Sequence, residues 1–196
     1  MKRLVLVTAT ALVLGGCYEE KATGDGLAQA ISAVGRTEVS NNSPDVAVKS
    51  WWRAKDSGAA LQAEICKNNL KLAAPYFEKL SELSTDDVYN ERSCGQTPPL
   101  FERQITKVEV QSDTRAVVTA QIKNVTPPEE GAVLDADDKK AKEAGEPFQY
   151  VLERKDVSSS WKISQVSRYP SYARAWEQIF KKPEPSTNRW VYEWLQ

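Results

Sequence analysis

The sequence contains no histidine. Histidine is the usual general base near neutral pH and the commonest metal ligand. Its absence removes Ser-His and Cys-His nucleophile systems and almost every zinc or copper geometry. No metal site and no cofactor is therefore expected. An excess of either charge is missing too, with 26 Lys and Arg against 27 Asp and Glu, a net −1. Setting aside Lys2 and Arg3 leaves 24 against 27, a net −3. Nucleic acid wants a basic face, so no nucleic-acid partner is expected. The apolar stretch over residues 4 to 14 is eleven residues long, well short of the roughly 20 that a membrane-spanning helix needs. Cysteine is scarce and odd in number: Cys17, Cys66 and Cys94. What remains is ordinary. A chain of 196 residues, 41% hydrophobic and 27% charged, has the size and composition of one folded domain with room for a tail.

The N-terminus has the parts of an export signal. Lys2 and Arg3 form a short positive region, and the eleven apolar residues have the length of a signal-peptide core. The segment Leu14-Gly15-Gly16-Cys17 resembles the lipobox of bacterial lipoproteins. That resemblance implies cleavage after residue 16, a diacylglycerol on the Cys17 sulfur and, usually, an acylated amine. Several acyl chains give stable anchoring where one would be marginal. In Gram-negative members an aspartate after the cysteine favours the inner membrane. Tyr18 stands there in this chain, so the resemblance implies the outer membrane, periplasmic side. An ordinary signal peptide with a chance cysteine is the competing reading. If Cys17 carries lipid, Cys66 and Cys94 remain in an oxidising compartment. A disulfide between them would close a loop of about 29 residues, worth about 3.5 kcal/mol. Two buried free thiols are the alternative.

Residues 17 to 42 read as a lipidated and mostly flexible tether; "LAQAISAV" has helical character but is short for a helix standing alone. The domain is expected to begin at Ser43-Pro44-Asp45, a serine cap, a first-turn proline and an acid. In the helix that follows, Val48, Trp51 and Trp52 share a face, while Lys49, Arg53 and Lys55 lie largely away from it. Gly58 ends this helix or joins it to a second with Leu61, Ile65 and Leu70 or Leu72 inward. A third, opened by Pro75, turns Phe77, Leu80 and Leu83 inward. The period then changes to two. "ITKVEVQSD" and "TRAVVTAQIKNV" form a hairpin around Ser112-Asp113, and "FQYVLERKD" and "SSWKISQVS" repeat the scheme. Phe148, Tyr150 and Leu152 share one face, and Trp161 and Ile163 share another. Helices first and strands after indicate an α+β domain, its N-terminal helices packed on an antiparallel sheet.

The starting helix "SPDVAVKSWWRAKDSG" and the later "FQYVLERKDVSSSWKISQV" resemble the cone-shaped nuclear transport factor two-like fold, over roughly residues 43 to 168. The likeness is strongest to small bacterial lipoproteins of unknown function; ketosteroid isomerase and SnoaL-type cyclases share the superfamily. The resemblance implies a curved sheet and helices enclosing an apolar cavity. It implies no single activity, because such folds host enzymes and non-enzymes, and no acid or base is carried over. The link from 124 to 146 is longer than a tight hairpin and leaves the strand order open.

Trp51 and Trp52 are candidates for a ligand or partner surface; aromatics at helical spacing are more often core. "LDADDKK" lacks the ligands of a calcium loop, with Lys139 and Lys140 inside it, and reads as a helix start with acids at its N-terminus. Asp86-Asp87 reads as a turn or cap, and "NVTPPEEG" as a stiff connection. Residues 169 to 196 are expected as a helical extension. "YPSYARAWEQIFKK" follows Pro170 as a helix, and Pro183 and Pro185 break it. A final helix then places Trp190 and Trp194 beside Val191 and Leu195. That apolar face would dock on its own domain or on a partner. The expected function is a non-catalytic envelope lipoprotein binding a small apolar ligand or an envelope protein. An isomerase or cyclase using a carboxylate in an apolar cavity, and a structural accessory of the envelope, are the alternatives.

Overall fold

A computed structural model describes residues 24–65, 70–88, 99–170 and 172–182. Cys17, Cys66, Cys94, Trp190 and Trp194 lie outside the described residues, and with them the lipidation, disulfide and terminal-helix expectations.

The chain opens with helices α1 (Gly24–Arg36), α2 (Pro44–Ile65) and α3 (Ala74–Leu83), the last preceded by a 3-10 turn, Leu70–Ala73. Helix α1 occupies much of the segment expected as a tether. It forms because Ala30 and Val34, one turn apart, bury against the neighbouring helices. Burial supplies what a short amphipathic helix lacks alone. The α3 side adds a polar tie, Lys79 Nζ donating to the Thr37 carbonyl at 2.8 Å. Helix α2 starts where expected: the Ser43 carbonyl accepts from the Ala47 N–H at 2.9 Å, and the Ser43 hydroxyl donates to Asp45. The Lys49 ammonium hydrogen-bonded to Asp45, and then Ser43, hold its carboxyl below the usual range.

Helix α2 does not end at Gly58 but runs through it. A Cβ there would lie 2.1 Å from the Tyr76 ring. The missing side chain is what lets the Tyr76 ring of α3 pack directly against α2. Tyr76, Leu80 and Leu83 are therefore the buried residues of α3, and Phe77, expected inward, is only half-buried. Leu72, a candidate core residue, is exposed on the 3-10 turn.

Five antiparallel strands follow in the order β1-β2-β3-β4-β5: Phe101–Ser112, Arg115–Asn124, Glu146–Glu153, Lys162–Arg168 and Glu177–Ile179. The class expected, α+β with N-terminal helices on an antiparallel sheet, is what forms. The sheet is open and not strongly curled, which corrects the expectation of a curved, cone-like sheet. The long link between β2 and β3 makes no crossover. It carries α4 (Ala136–Ala144), capped by Asp135 accepting from the Asp138 N–H at 2.7 Å, and returns to the adjacent strand at Gly145. Gly145 has φ 68°, and a Cβ there would meet the Ile122 carbonyl oxygen at 2.4 Å, so the return requires glycine.

Ala116, Val118 and Ala120 of β2 and Tyr150 and Leu152 of β3 join the core beneath the helices. Ile163 of β4 pairs with Leu152, and Trp161, just before β4, is buried in the same core.

The helix expected after Pro170 is a correction. The segment turns at Arg174, with φ 53°, and adds β5 to the edge of β4, pairing Ile179 with Val166. Tyr172 and Trp176 are exposed rather than forming an apolar helical stripe. The physical reason is the open edge of β4. Ser84 and Thr85 satisfy its first part, and β5 takes the rest. Main-chain groups that would otherwise go unpaired outweigh the modest helical pattern.

Candidate functional site

Between α2 and the helix-facing side of the sheet lies a cleft of about 560 Å³. Its roof is one stripe of α2: Trp51, Trp52, Lys55, Asp56, Ala59 and Gln62. Those positions recur at three- and four-residue spacing, so a single helical face presents them. Every strand contributes to the floor: Arg103 from β1, Ile122 from β2, Tyr150 from β3, Val166 from β4 and Ile179 from β5. The pleat explains the set, because Tyr150, Val166 and Ile179 are consecutive cross-strand partners and Arg103 pairs with Ile122. Phe148 and Phe180 complete the apolar wall. The size suits a small molecule. A second concavity, lined by Asp87, Arg115, Glu153 and Lys182 among others, is predominantly polar.

Two polar pairs fix the walls. The Trp52 Nε1–H donates to the Tyr150 hydroxyl at 2.8 Å, and their rings meet edge to face at 5.9 Å. Burial pushes the Tyr150 phenol up to about 12, against smaller opposing effects of the Trp52 hydrogen bond and the Arg103 charge. Tyr150 therefore stays a neutral hydrogen-bonding group at physiological pH. Arg103 grips Asp56 with both terminal nitrogens, at 2.6 and 2.8 Å. Its guanidinium also lies 5.9 Å from the Trp52 ring and 5.1 Å from Phe101. The fork ties β1 to α2 with the planar, two-point geometry that arginine favours. Burial, and then the Asp56 charge, raise the Tyr76 phenol above its ordinary value.

Lys55 differs from these. Its ammonium sits 5.0 Å from the Trp51 ring centroid and 4.7 Å from that of Phe180. Those two rings meet edge to face at 6.3 Å. No carboxylate among the described residues pairs with it. Burial pulls its ammonium down to about 8.

The structure brings Trp51 and Trp52 together at the cleft. Trp51 is 2% exposed and belongs to the core as well, while Trp52 is half-buried. Lys55, expected away from the tryptophan face, is four residues after Trp51 and shares it; that spacing was the available signal. Arg103 and Tyr150 are far from α2 in sequence, and nothing local to either announces its role. Asp86 and Asp87 are exposed at a turn, where the Thr85 hydroxyl accepts from the Asp87 N–H at 3.4 Å. Among the described residues, no group of three or more Cys, Asp or Glu is placed to hold a metal, and no helix is long and apolar enough to cross a membrane.

Compared with protein-family models, curated proteins and solved structures, the chain matches none of them.

Proposed function

We propose that this chain is a lipid-anchored lipoprotein on the periplasmic side of the outer membrane, and that its domain is a non-catalytic binder of a small apolar ligand. Within that reading the fold is a flattened relative of the nuclear transport factor two-like kind. The observation that carries the binding reading is the cleft itself, about 560 Å³ and walled by Trp51, Trp52, Phe148, Tyr150 and Phe180. Mostly apolar concavities with a few placed polar groups are the usual form of small-molecule sites. The anchor rests on Leu14-Gly15-Gly16-Cys17 and the short apolar core before it.

An isomerase or cyclase would need a desolvated carboxylate with a raised pKa. Asp56, the one carboxylate among the described residues that line the cleft, has a side chain 56% exposed and held by both terminal Arg103 nitrogens. That arrangement supports a structural tie more than proton transfer.

The test is binding of a neutral apolar dye, N-phenyl-1-naphthylamine, to the full chain. The reading predicts saturable fluorescence enhancement at one site. Ala59→Trp, which fills the cleft from α2, should weaken it at least tenfold. Equal binding by both proteins would remove the cleft from the account.

A further inference from the structure

We propose that the cleft takes an amphiphile with a single anionic head, and that Lys55 holds the head while the aromatic walls hold the apolar body. This deepens the binding reading above and rests on it.

Lys55 brings to the cleft a charge unpaired among the described residues. Among the described residues, three cations line the cleft, Lys55, Arg103 and Lys181, against one carboxylate, Asp56. Arg103 and Asp56 satisfy each other in a two-point pair. Lys181 is exposed. Lys55 is left with ring faces and no carboxylate among the described residues. Ring faces attract an ammonium only weakly, whereas burying a charge without a partner is costly. Burial holds its pKa down near 8, so it is still mainly protonated at neutral pH. A carboxylate entering the cleft would complete a charge-assisted hydrogen bond in a partly dry site, where such bonds are strong. The same head would meet no repulsion from Asp56, whose charge Arg103 offsets. A cationic amphiphile would place two positive charges together.

The test titrates the full chain with octanoate, octanol and octylamine at pH 7 by calorimetry. Octanoate is expected to bind at least tenfold more tightly than octanol, and octylamine more weakly than either. Lys55→Met should abolish the octanoate preference while retaining octanol binding, which shows that the cleft is intact; Lys55→Arg should keep the preference. Raising the pH from 7 to 9.5 should shrink the preference as Lys55 loses its proton. The other titratable groups lining the cleft among the described residues are Asp56, Tyr76, Arg103, Tyr150 and Lys181, so the loss must be absent in Lys55→Met. Octanol and octanoate binding alike, or a preference that survives Lys55→Met, would overturn the anionic head and leave the apolar cleft standing. If neither amphiphile binds, both readings fall.

Discussion

Lys55 is a residue that the fold holds at a cost. Lys55 is half-buried, its ammonium set against Trp51 and Phe180, and its pKa falls to about 8 from an ordinary 10.5. The charged form is therefore disfavoured in the folded state. Between about pH 8 and 10.5 the unfolded chain binds more protons, so this group makes stability rise with pH across that window. Below about 8 the full penalty applies. Lys55→Met should stabilise the protein at pH 7 by roughly 2 to 3 kcal/mol, and the gain should vanish near pH 10.5. Urea melts at both pH values measure this; a variant no more stable than the parent at pH 7 would show that the ammonium is not desolvated. A residue that lowers stability while lining a cleft is what a binding site looks like in energetic terms. At this scale the sequence was half legible. Trp51 and Trp52 are visible as adjacent aromatics on a helix, and Lys55 follows from Trp51 by one turn. Arg103 and Tyr150 become site residues only through the register that sets β1 and β3 under α2, which no local pattern encodes.

At the scale of elements, the junction of α2 and α3 depends on an absent side chain. Gly58 lies within a 22-residue helix, Pro44–Ile65, where alanine would ordinarily be better by about 1 kcal/mol. Here the Cβ would lie 2.1 to 2.5 Å from three Tyr76 ring carbons. Overpacking of this kind costs about 1 to 3 kcal/mol, and the ring has a core on its other side. Gly58→Ala should therefore lower stability by roughly 1 to 2 kcal/mol rather than raise it. Pairing it with Tyr76→Leu should recover much of the loss. A stabilised Gly58→Ala protein would mean that the helices sit further apart. Of the two readings of Gly58, joining the helical segments is the one that holds, and the reason for a glycine there lies in a neighbour 18 positions later. The same limit explains the C-terminal segment. Tyr172, Trp176 and Ile179 have helical spacing, yet β4 offers an open edge that only the assembled sheet reveals. Strongly patterned elements were legible: α2 from its cap and periodicity, the β1–β2 hairpin from alternation about Ser112, and α4 from Asp135 with acids at its start.

At the scale of the whole molecule, the proposal joins two features: a lipid anchor inferred from Leu14-Gly15-Gly16-Cys17 and a cleft built from α2 and all five strands. The proposed anchor rests on sequence alone and is independent of the fold. Cys17→Ser should abolish palmitate labelling and release the protein from the membrane fraction, with its melting temperature unchanged; membrane retention of the variant would refute the lipoprotein reading. The cleft was legible only as a class of object, an apolar cavity under helices. Its position and, among the described residues, the unpaired Lys55 and the paired Asp56 required the tertiary arrangement. The central claim is that this cleft is a binding site and not a packing defect. The most direct measurement follows the tryptophan indole N–H signals of the full chain by nitrogen-edited NMR during titration with octanol, each assigned by single Trp→Phe variants. The account predicts saturable shifts of Trp51 and Trp52, the Trp52 signal moving as its bond to Tyr150 adjusts, while the indole of Trp161, which does not line the cleft, stays still. Unmoved Trp51 and Trp52 signals at saturating octanol would contradict it.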